Sequence, residues 1–134
     1  MKVYYDANGV VLGRIGSVIC KELLKGKEVA VINCEKSIIT GNRQEVLATL
    51  LHWRNLGGLG LKGPRTSKIP ERMFKRMIRG MLPWDRTRGR EVYRKLMCYS
   101  GNGDLNENEL KQVKKIETKK VLKSVTLGEL CKTL

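Results

Sequence analysis

A strand, a helix and a second strand follow one another within the first 34 residues, and this pattern limits the possible fold more than any other feature. Residues 3–7 (VYYDA) are short, apolar and aromatic, and the Asn8-Gly9 turn signal follows them. Apolar side chains then recur at helical spacing over residues 12–24. Residues 28–34 (EVAVINC) are β-branched and apolar, which is typical of a buried strand. Two strands joined by a helix predict a parallel sheet with a right-handed crossover.

The next segments predict a brief strand and a second helix. Residues 37–40 are long enough for one short strand. Asn42 followed by Glu45 matches a capping box, in which each of the two side chains bonds to the backbone N–H of the other residue. The apolar face of this helix would consist of Val46, Leu47, Leu50, Leu51 and Trp53. Residues 55–69 contain four glycines and Pro64, so we expect a flexible loop that a bound partner could order.

The C-terminal third predicts short elements separated by polar segments. Residues 96–100 (LMCYS) form an expected strand, and the glycines at 101 and 103 mark a turn. Residues 106–123 alternate acids and lysines, which indicates a solvated region without a clear structural pattern. Thr126 with Glu129 matches a capping box, and Val125 can pack on Leu130, so residues 127–134 should form a terminal helix. The length suits one domain over residues 1–134.

The basic segment, residues 62–95, concentrates the charge of the chain. It holds twelve Lys or Arg residues against Glu71, Asp85 and Glu91, and it accounts for +9 of the formal net charge of +14. Between Pro70 and Pro83 the spacing predicts one amphipathic helix over residues 71–82. Its apolar face would consist of Met73, Phe74, Met77, Ile78, Met81 and Leu82.

Residues 86–95 continue the basic segment and predict a second short helix or a turn. A merely solvated surface would carry more neutralising acids, so the whole segment favours binding of a polyanion, with nucleic acid ahead of an acidic protein. A membrane is disfavoured because the basic helix lacks Trp and Tyr anchors and no lipidation pattern occurs. Neither a signal peptide nor a membrane-spanning run is visible, so we expect a soluble intracellular protein.

Patterns for catalysis, metals and cofactors fail. The glycines of residues 9–26 fit neither the dinucleotide-binding nor the phosphate-loop spacing. Residues 104–115 begin like a calcium loop, but position 109 is not glycine and position 115 is not glutamate. Four scattered cysteines and the single His52 fit buried reduced thiols better than a zinc site. With no visible nucleophile–base pair, we predict no enzyme activity, no metal, no cofactor and no small-molecule substrate.

The make-up of the basic segment narrows the kind of nucleic-acid contact. Arginine outnumbers lysine by eight to four, which favours bidentate phosphate contacts and stacking on bases. Aromatic residues form only 5% of the chain, so a sheet that stacks single-stranded bases is not expected. Recognition of folded RNA through its backbone and shape, or non-specific binding of DNA, remain as the two alternatives.

Four sequence blocks carry a resemblance to a known family. They are DANGVVLGRIGSVICKELLKG at residues 6–26, VAVINCEKSIITGNR at 29–43, RGMLPWDRTRGR at 79–90 and YRKLMCYSG at 93–101. In this order they resemble the universal large-subunit ribosomal protein thirteen family, in its archaeal and eukaryotic branch. The third block is the most specific, and the residues after Asp104 match the family pattern poorly.

The resemblance implies a three-layer α/β/α fold with a mainly parallel four-stranded sheet. It also implies a structural constituent of the cytoplasmic large ribosomal subunit that binds ribosomal RNA, supports assembly and translation, and contacts neighbouring ribosomal proteins. An RNA-facing loop and basic helix would occupy about residues 55–95. A non-specific DNA-binding or chromatin protein is one alternative, and an enzyme that acts on RNA is another.

By the family pattern, Arg79, Gly80, Arg88, Gly89 and Arg90 should lie in or beside the RNA contact. Together with the other cations of the basic segment they give the predicted RNA-binding set, which is Lys62, Arg65, Lys68, Arg72, Lys75, Arg76, Arg79, Gly80, Arg86, Arg88, Gly89, Arg90, Arg94 and Lys95.

Overall fold

The computed structural model describes residues 1–57, 60, 63 and 66–134. The helices in these ranges are α1 (Leu12–Leu24), α2 (Arg43–Asn55), α3 (Pro70–Arg79), α4 (Thr87–Arg94), α5 (Glu107–Lys111) and α6 (Leu127–Thr133). The strands are β1 (Lys2–Asp6), β2 (Glu28–Ile32), β3 (Ile38–Thr40), β4 (Leu96–Cys98), β5 (Lys114–Lys115) and β6 (Ser124–Thr126).

Four strands form one sheet in the order β4-β2-β1-β5, and all three pairings are parallel. Val3 lies opposite Val29, and Val29 lies opposite Leu96, so the apolar residues of three strands are in register. Helix α1 provides the crossover between β1 and β2. The α/β class with a mainly parallel four-stranded sheet is therefore confirmed.

One end of β2 differs from the prediction. The strand stops at Ile32 rather than at Cys34, because Asn33 has a φ of 54° and turns the backbone out of the extended conformation. A single 3₁₀ turn, Cys34–Lys36, follows it. The side-chain amide of Asn33 donates to the Asp6 carboxylate at 2.9 Å, so this turn is tied to the end of β1.

The main core lies between one face of the sheet and helices α1 and α3. Val3 and Val29 face this core, as do Ile15 of α1 and Phe74 of α3, and all are buried. The alternation of a strand assigns Tyr4 and Ala30 to the opposite face. Helices α1 and α3 therefore lie on the same side of the sheet.

The opposite face is covered more thinly. The Tyr4 hydroxyl donates to the carboxylate of Glu109, and this bond fastens α5 over β1. Because that hydrogen bond stabilises the carboxylate and the protonated phenol, it lowers the pKa of Glu109 and raises the pKa of Tyr4 to about 12. Met97 of β4 remains 46% exposed on this side. Helix α5 therefore forms part of the third layer, on the side of the sheet opposite α1 and α3.

Helix α5 and strand β5 correct the expectation of an unpatterned region at residues 106–123. Asn106 caps α5 in a complete capping box with Glu109, so the segment rejected as a calcium loop contains a helix start. Lys114 and Lys115 then pair with Tyr5 and Asp6 as the fourth strand of the sheet. Both lysines are exposed, and only backbone pairing reveals this strand.

A second, two-stranded antiparallel sheet joins β3 to β6. The predicted terminal helix follows directly as α6, whose N-cap Thr126 accepts from the Glu129 backbone N–H at 3.4 Å. Val125 and Leu130 are both buried in one small cluster with Leu50, as the expected packing across the helix start requires. The terminal helix and its packing are confirmed. Of the predicted capping box, the described residues show only the hydrogen bond to the Thr126 side chain.

The prediction for α2 is only partly correct. The helix begins after Asn42, but the Asn42 side chain makes no capping hydrogen bond, so the expected capping box is absent. Of the predicted apolar face only Leu50 is buried, whereas Leu51 is 37% and Trp53 is 52% exposed. The helix packs at the edge of the molecule against the small cluster, which is too narrow to cover the whole stripe.

The four cysteines are present as thiols. All four thiols are free; Cys20, Cys34 and Cys131 are buried and Cys98 is half-buried. Burial raises the pKa of the Cys20 and Cys131 thiols. Among the described residues, no three metal-ligating side chains come together. None of the helices described here has the length and apolar character needed to cross a membrane.

Candidate nucleic-acid interface

Helix α3 has the two opposed faces that the spacing predicts. Pro70 occupies its first turn, and the helix ends at Arg79, three residues earlier than expected, because the backbone continues in tight turns from Gly80 onward. Met73, Phe74 and Ile78 are buried against α1, α6 and β4. The basic side chains point away from this core; Arg72 and Arg76 are exposed, and Lys75 and Arg79 are half-buried.

Residues 86–95 were predicted to form a second short helix or a turn, and the structure has a helix there, α4. The exposed cations of this region are Arg86, Arg88, Arg90, Arg94 and Lys95. Two of them also fasten α4 to the end of α1. The Arg88 guanidinium donates to the Leu24 carbonyl at 2.8 Å, and the Lys95 ammonium donates to the Gly26 carbonyl at 3.4 Å. These bonds place positive charge at the C-terminus of α1, where the helix dipole favours it.

Two aromatic residues organise the cations between the helices, and they were not among the predicted site residues. The Arg79 Cζ lies 4.1 Å from the centroid of the Trp84 ring, and the Lys75 Nζ lies 5.0 Å from the centroid of the Tyr93 ring. The two rings meet edge to face, with centroids 5.2 Å apart. We call these four side chains the cation–aromatic stack. Cation–π contacts hold the two charges in place in the unbound protein.

The stack borders an open pocket at the end of α3. This pocket has a volume of about 470 Å³ and is lined by Arg76, Arg79, Gly80 and the turn at residues 82–85. The turn is held from α4, since the Arg90 Nε donates to the Trp84 carbonyl at 3.0 Å. Asp85, which is exposed, is the only acidic residue in the lining. We call it the Asp85 pocket.

Glu71, another acidic residue of the basic segment, bonds to the backbone. The Glu71 carboxylate accepts from the Ser100 backbone N–H at 2.8 Å and so braces the start of α3 against the end of β4. Both salt bridges recorded in the described part of the chain involve Glu22 of α1, with Lys25 and Lys27. Neither of these two salt bridges involves a cation of α3 or α4.

Comparison with known proteins decides the family. The model of the family described as ribosomal protein L13 matches residues 1–105. The chain belongs to the ribosomal protein L13 family. The matched range includes the whole basic segment and ends just before α5.

Archaeal members of the L13 family resemble the chain over nearly its full length. The large ribosomal subunit protein uL13 of Archaeoglobus fulgidus is 40% identical over 133 residues, which is 96% of this chain and 85% of that protein. The protein of the same name from Methanopyrus kandleri is 40% identical over 134 residues, which is 96% of this chain and 84% of that protein. The protein of that name from Natronomonas pharaonis is 36% identical over 132 residues, which is 98% of this chain and 90% of that protein.

The structure brings most of the predicted site residues of this L13-family chain together. Arg76, Arg79 and the exposed Gly80 line the Asp85 pocket, and Arg90 contacts its turn. Arg88 and Lys95 lie instead against the end of α1. Lys68 is exposed just before α3. Lys62 and Arg65 lie outside the described residues, as does most of the predicted glycine-rich loop.

Gly89 has a packing role that the sequence did not reveal. It is buried in α4, and a Cβ atom built on it would lie 2.0 Å from the Pro83 carbonyl oxygen and 2.5 Å from the Pro83 carbonyl carbon. Only a residue without a side chain allows α4 to approach the turn so closely. The position of the turn, and hence of Trp84 and Asp85, depends on this contact.

We expect Gly89→Ala to destabilise the fold by about 1–3 kcal/mol, because the new methyl group must push backbone atoms apart. The midpoint of urea denaturation would measure the loss. Gly13→Ala is the matched control, since Gly13 also lies in a helix but has no atom within 4 Å of its built Cβ. The control should be neutral or more stable by up to about 1 kcal/mol. Equal midpoints for the two variants would contradict the packing role.

Proposed function

We propose that this chain is a structural, non-enzymatic constituent of the large ribosomal subunit. The chain would act as one domain, bind ribosomal RNA and contact neighbouring ribosomal proteins. The observation that carries the proposal is the pair of basic helices, α3 and α4, whose cations face outward while their apolar sides are held on a rigid sheet. Membership of the L13 family supports the same assignment, because the relatives described above are large-subunit proteins.

We assign the RNA contact to the cations of the basic segment and to the two glycines among them. The proposed RNA-binding set, in which the buried Gly89 has a positioning role, is Lys62, Arg65, Lys68, Arg72, Lys75, Arg76, Arg79, Gly80, Arg86, Arg88, Gly89, Arg90, Arg94 and Lys95. Gly80 would let RNA approach the backbone, whereas Gly89 would act by fixing α4 against the turn.

Arginine suits this role because its planar guanidinium forms two parallel hydrogen bonds with one phosphate. Arg88 uses one nitrogen for the Leu24 carbonyl and keeps further N–H groups for a partner. The tether also fixes the side chain, so less conformational entropy is lost when RNA binds. The same reasoning applies to Arg90, whose Nε is engaged by the Trp84 carbonyl.

The number of cations sets the expected salt dependence. If roughly 6–10 phosphates are neutralised, affinity should fall by about 10³–10⁵ between roughly 50 and 200 mM salt, taking the figure for duplex DNA as a guide. Such a slope indicates phosphate contacts but does not identify the nucleic acid.

A competition experiment would identify the nucleic acid, with large-subunit ribosomal RNA and duplex DNA of equal nucleotide concentration competing for the protein at physiological salt. Preference for the DNA would favour a chromatin protein instead.

The decisive test is location in the cell. A lysate containing the tagged chain would be separated by sedimentation, and the large-subunit fraction would be washed with high salt and probed for the chain. We expect the chain to remain with the large subunit after the wash, since an integral component contacts RNA through many phosphates at once. Its recovery in the free-protein fraction before the wash would refute the proposal.

A further inference from the structure

The Asp85 pocket has a composition that phosphate binding alone does not explain. Arg76 and Arg79 line it, Trp84 lies beside Arg79, and the exposed Asp85 also belongs to the lining. A phosphate placed in the pocket would be repelled by the Asp85 carboxylate. The described residues give Asp85 no salt bridge, so its charge is not committed to a neighbouring arginine.

We propose that the Asp85 pocket binds the base of an unpaired guanine nucleotide of ribosomal RNA. This inference rests on the proposed function and adds to it a base-specific site within a surface that otherwise contacts phosphates. Single-stranded bases turned out of a helix are the features of RNA that proteins read in sequence-specific contacts.

The base would stack on Arg79. Its Cζ lies 4.1 Å from the centroid of the Trp84 ring, and both side chains line the pocket, so a bound base would add to this existing layer. A guanidinium plane is a suitable surface for a base, and here it is already oriented by the stack. Tyr93 supports Trp84 from its edge and keeps the layer from rotating. The volume of about 470 Å³ is within the usual range of sites for small ligands.

Guanine is the base whose edge matches a carboxylate. Its Watson–Crick edge carries two adjacent donors, the N1–H and the N2 amino group, which can bond to both oxygens of Asp85. Adenine, cytosine and uracil each present a single donor group on that edge. With any of these bases, one oxygen of the Asp85 carboxylate would face an acceptor or would have no partner. Arg76 lines the same pocket, and we assign it to the phosphate of the bound nucleotide.

The test uses short single strands of equal charge. The full chain would be titrated with nonamers of uridine that carry guanine, adenine, cytosine or uracil at the central position, in moderate salt. One bidentate base contact is worth about 1–3 kcal/mol of discrimination, so the guanine nonamer should bind at least about fivefold more tightly than the others. All four should share the same salt slope, because they present the same phosphates.

The variant Asp85→Asn should abolish the preference for guanine, because the amide offers only one acceptor and turns a donor toward the base. Binding of the other nonamers should stay equal or become slightly tighter, since one negative charge is removed. Glu91→Gln is the matched control. It removes the same charge from α4 outside the pocket and should keep the guanine preference.

Two results would overturn the inference: equal binding of all four nonamers to the unmodified protein, or an undiminished guanine preference in Asp85→Asn. Either of these, together with a steep salt slope, leaves the ribosomal RNA contact in place and removes only the base-specific site. Failure of the proposed function has a different signature, which is the absence of salt-dependent binding to every nonamer and to large-subunit ribosomal RNA.

Discussion

Changing Arg72, Arg76 and Arg79 together to alanine is expected to weaken binding to large-subunit ribosomal RNA by roughly 10²- to 10³-fold at physiological salt. At this solvated surface, each hydrogen bond that the substitutions remove is worth about 1–1.4 kcal/mol net. All three residues lie on the outer side of α3, opposite the buried Phe74. The plot of log affinity against log salt should also become shallower by about 2–3 units, since each phosphate that is no longer neutralised lowers the slope by up to one.

The measurement is a filter-binding or fluorescence titration against deproteinised large-subunit ribosomal RNA at several salt concentrations. Circular dichroism and the melting temperature would establish that the variant remains folded. Lys119, Lys120 and Lys123 changed to alanine provide the control, because they remove the same charge from exposed positions outside the basic segment. If the control loses as much affinity as the arginine variant, net charge explains the binding and the assignment to α3 is wrong.

The first half of the fold follows from the sequence because its signals are local. Strand β1, helix α1 and strand β2 each satisfy their own periodicity, and the order alone implies a parallel pair. The predictions that fail concern elements whose structure depends on contacts with distant parts of the chain. Strand β5 consists of Lys114 and Lys115, two exposed residues with no apolar pattern, and it exists because the open edge of β1 accepts its backbone.

Two asparagine–glutamate pairs, of which only the first was predicted to be a capping box, illustrate why a local pattern is not sufficient. Asn42 with Glu45 and Asn106 with Glu109 have the same spacing, yet only the second pair forms a capping box. Glu109 also accepts from the Tyr4 hydroxyl, so a residue more than a hundred positions away holds its carboxylate in place. No comparable contact is recorded for Glu45 among the described residues.

The candidate site was predictable in its charge but not in its geometry. The density of Lys and Arg along the chain is sufficient to identify the segments that form α3 and α4. Trp84 and Tyr93 were overlooked because the low aromatic content argued against stacking, although both lie between arginines in the basic segment. They meet only because the chain reverses at Pro83, and that reversal depends on the close approach of Gly89.

Phe74→Ala is expected to have the largest effect on stability, a loss of about 3–5 kcal/mol, which is a large share of the about 5–15 kcal/mol typical of such domains. Phe74 is 0% exposed and is among the largest buried side chains, so its removal leaves a cavity under α3. Urea denaturation would measure the loss. Met81→Ala is the control from the same predicted apolar stripe; Met81 is 43% exposed, and its truncation should cost less than about 1 kcal/mol. Similar losses in both variants would mean that α3 is not anchored through Phe74, and the basic surface would then lack the rigid support that positions its arginines for RNA.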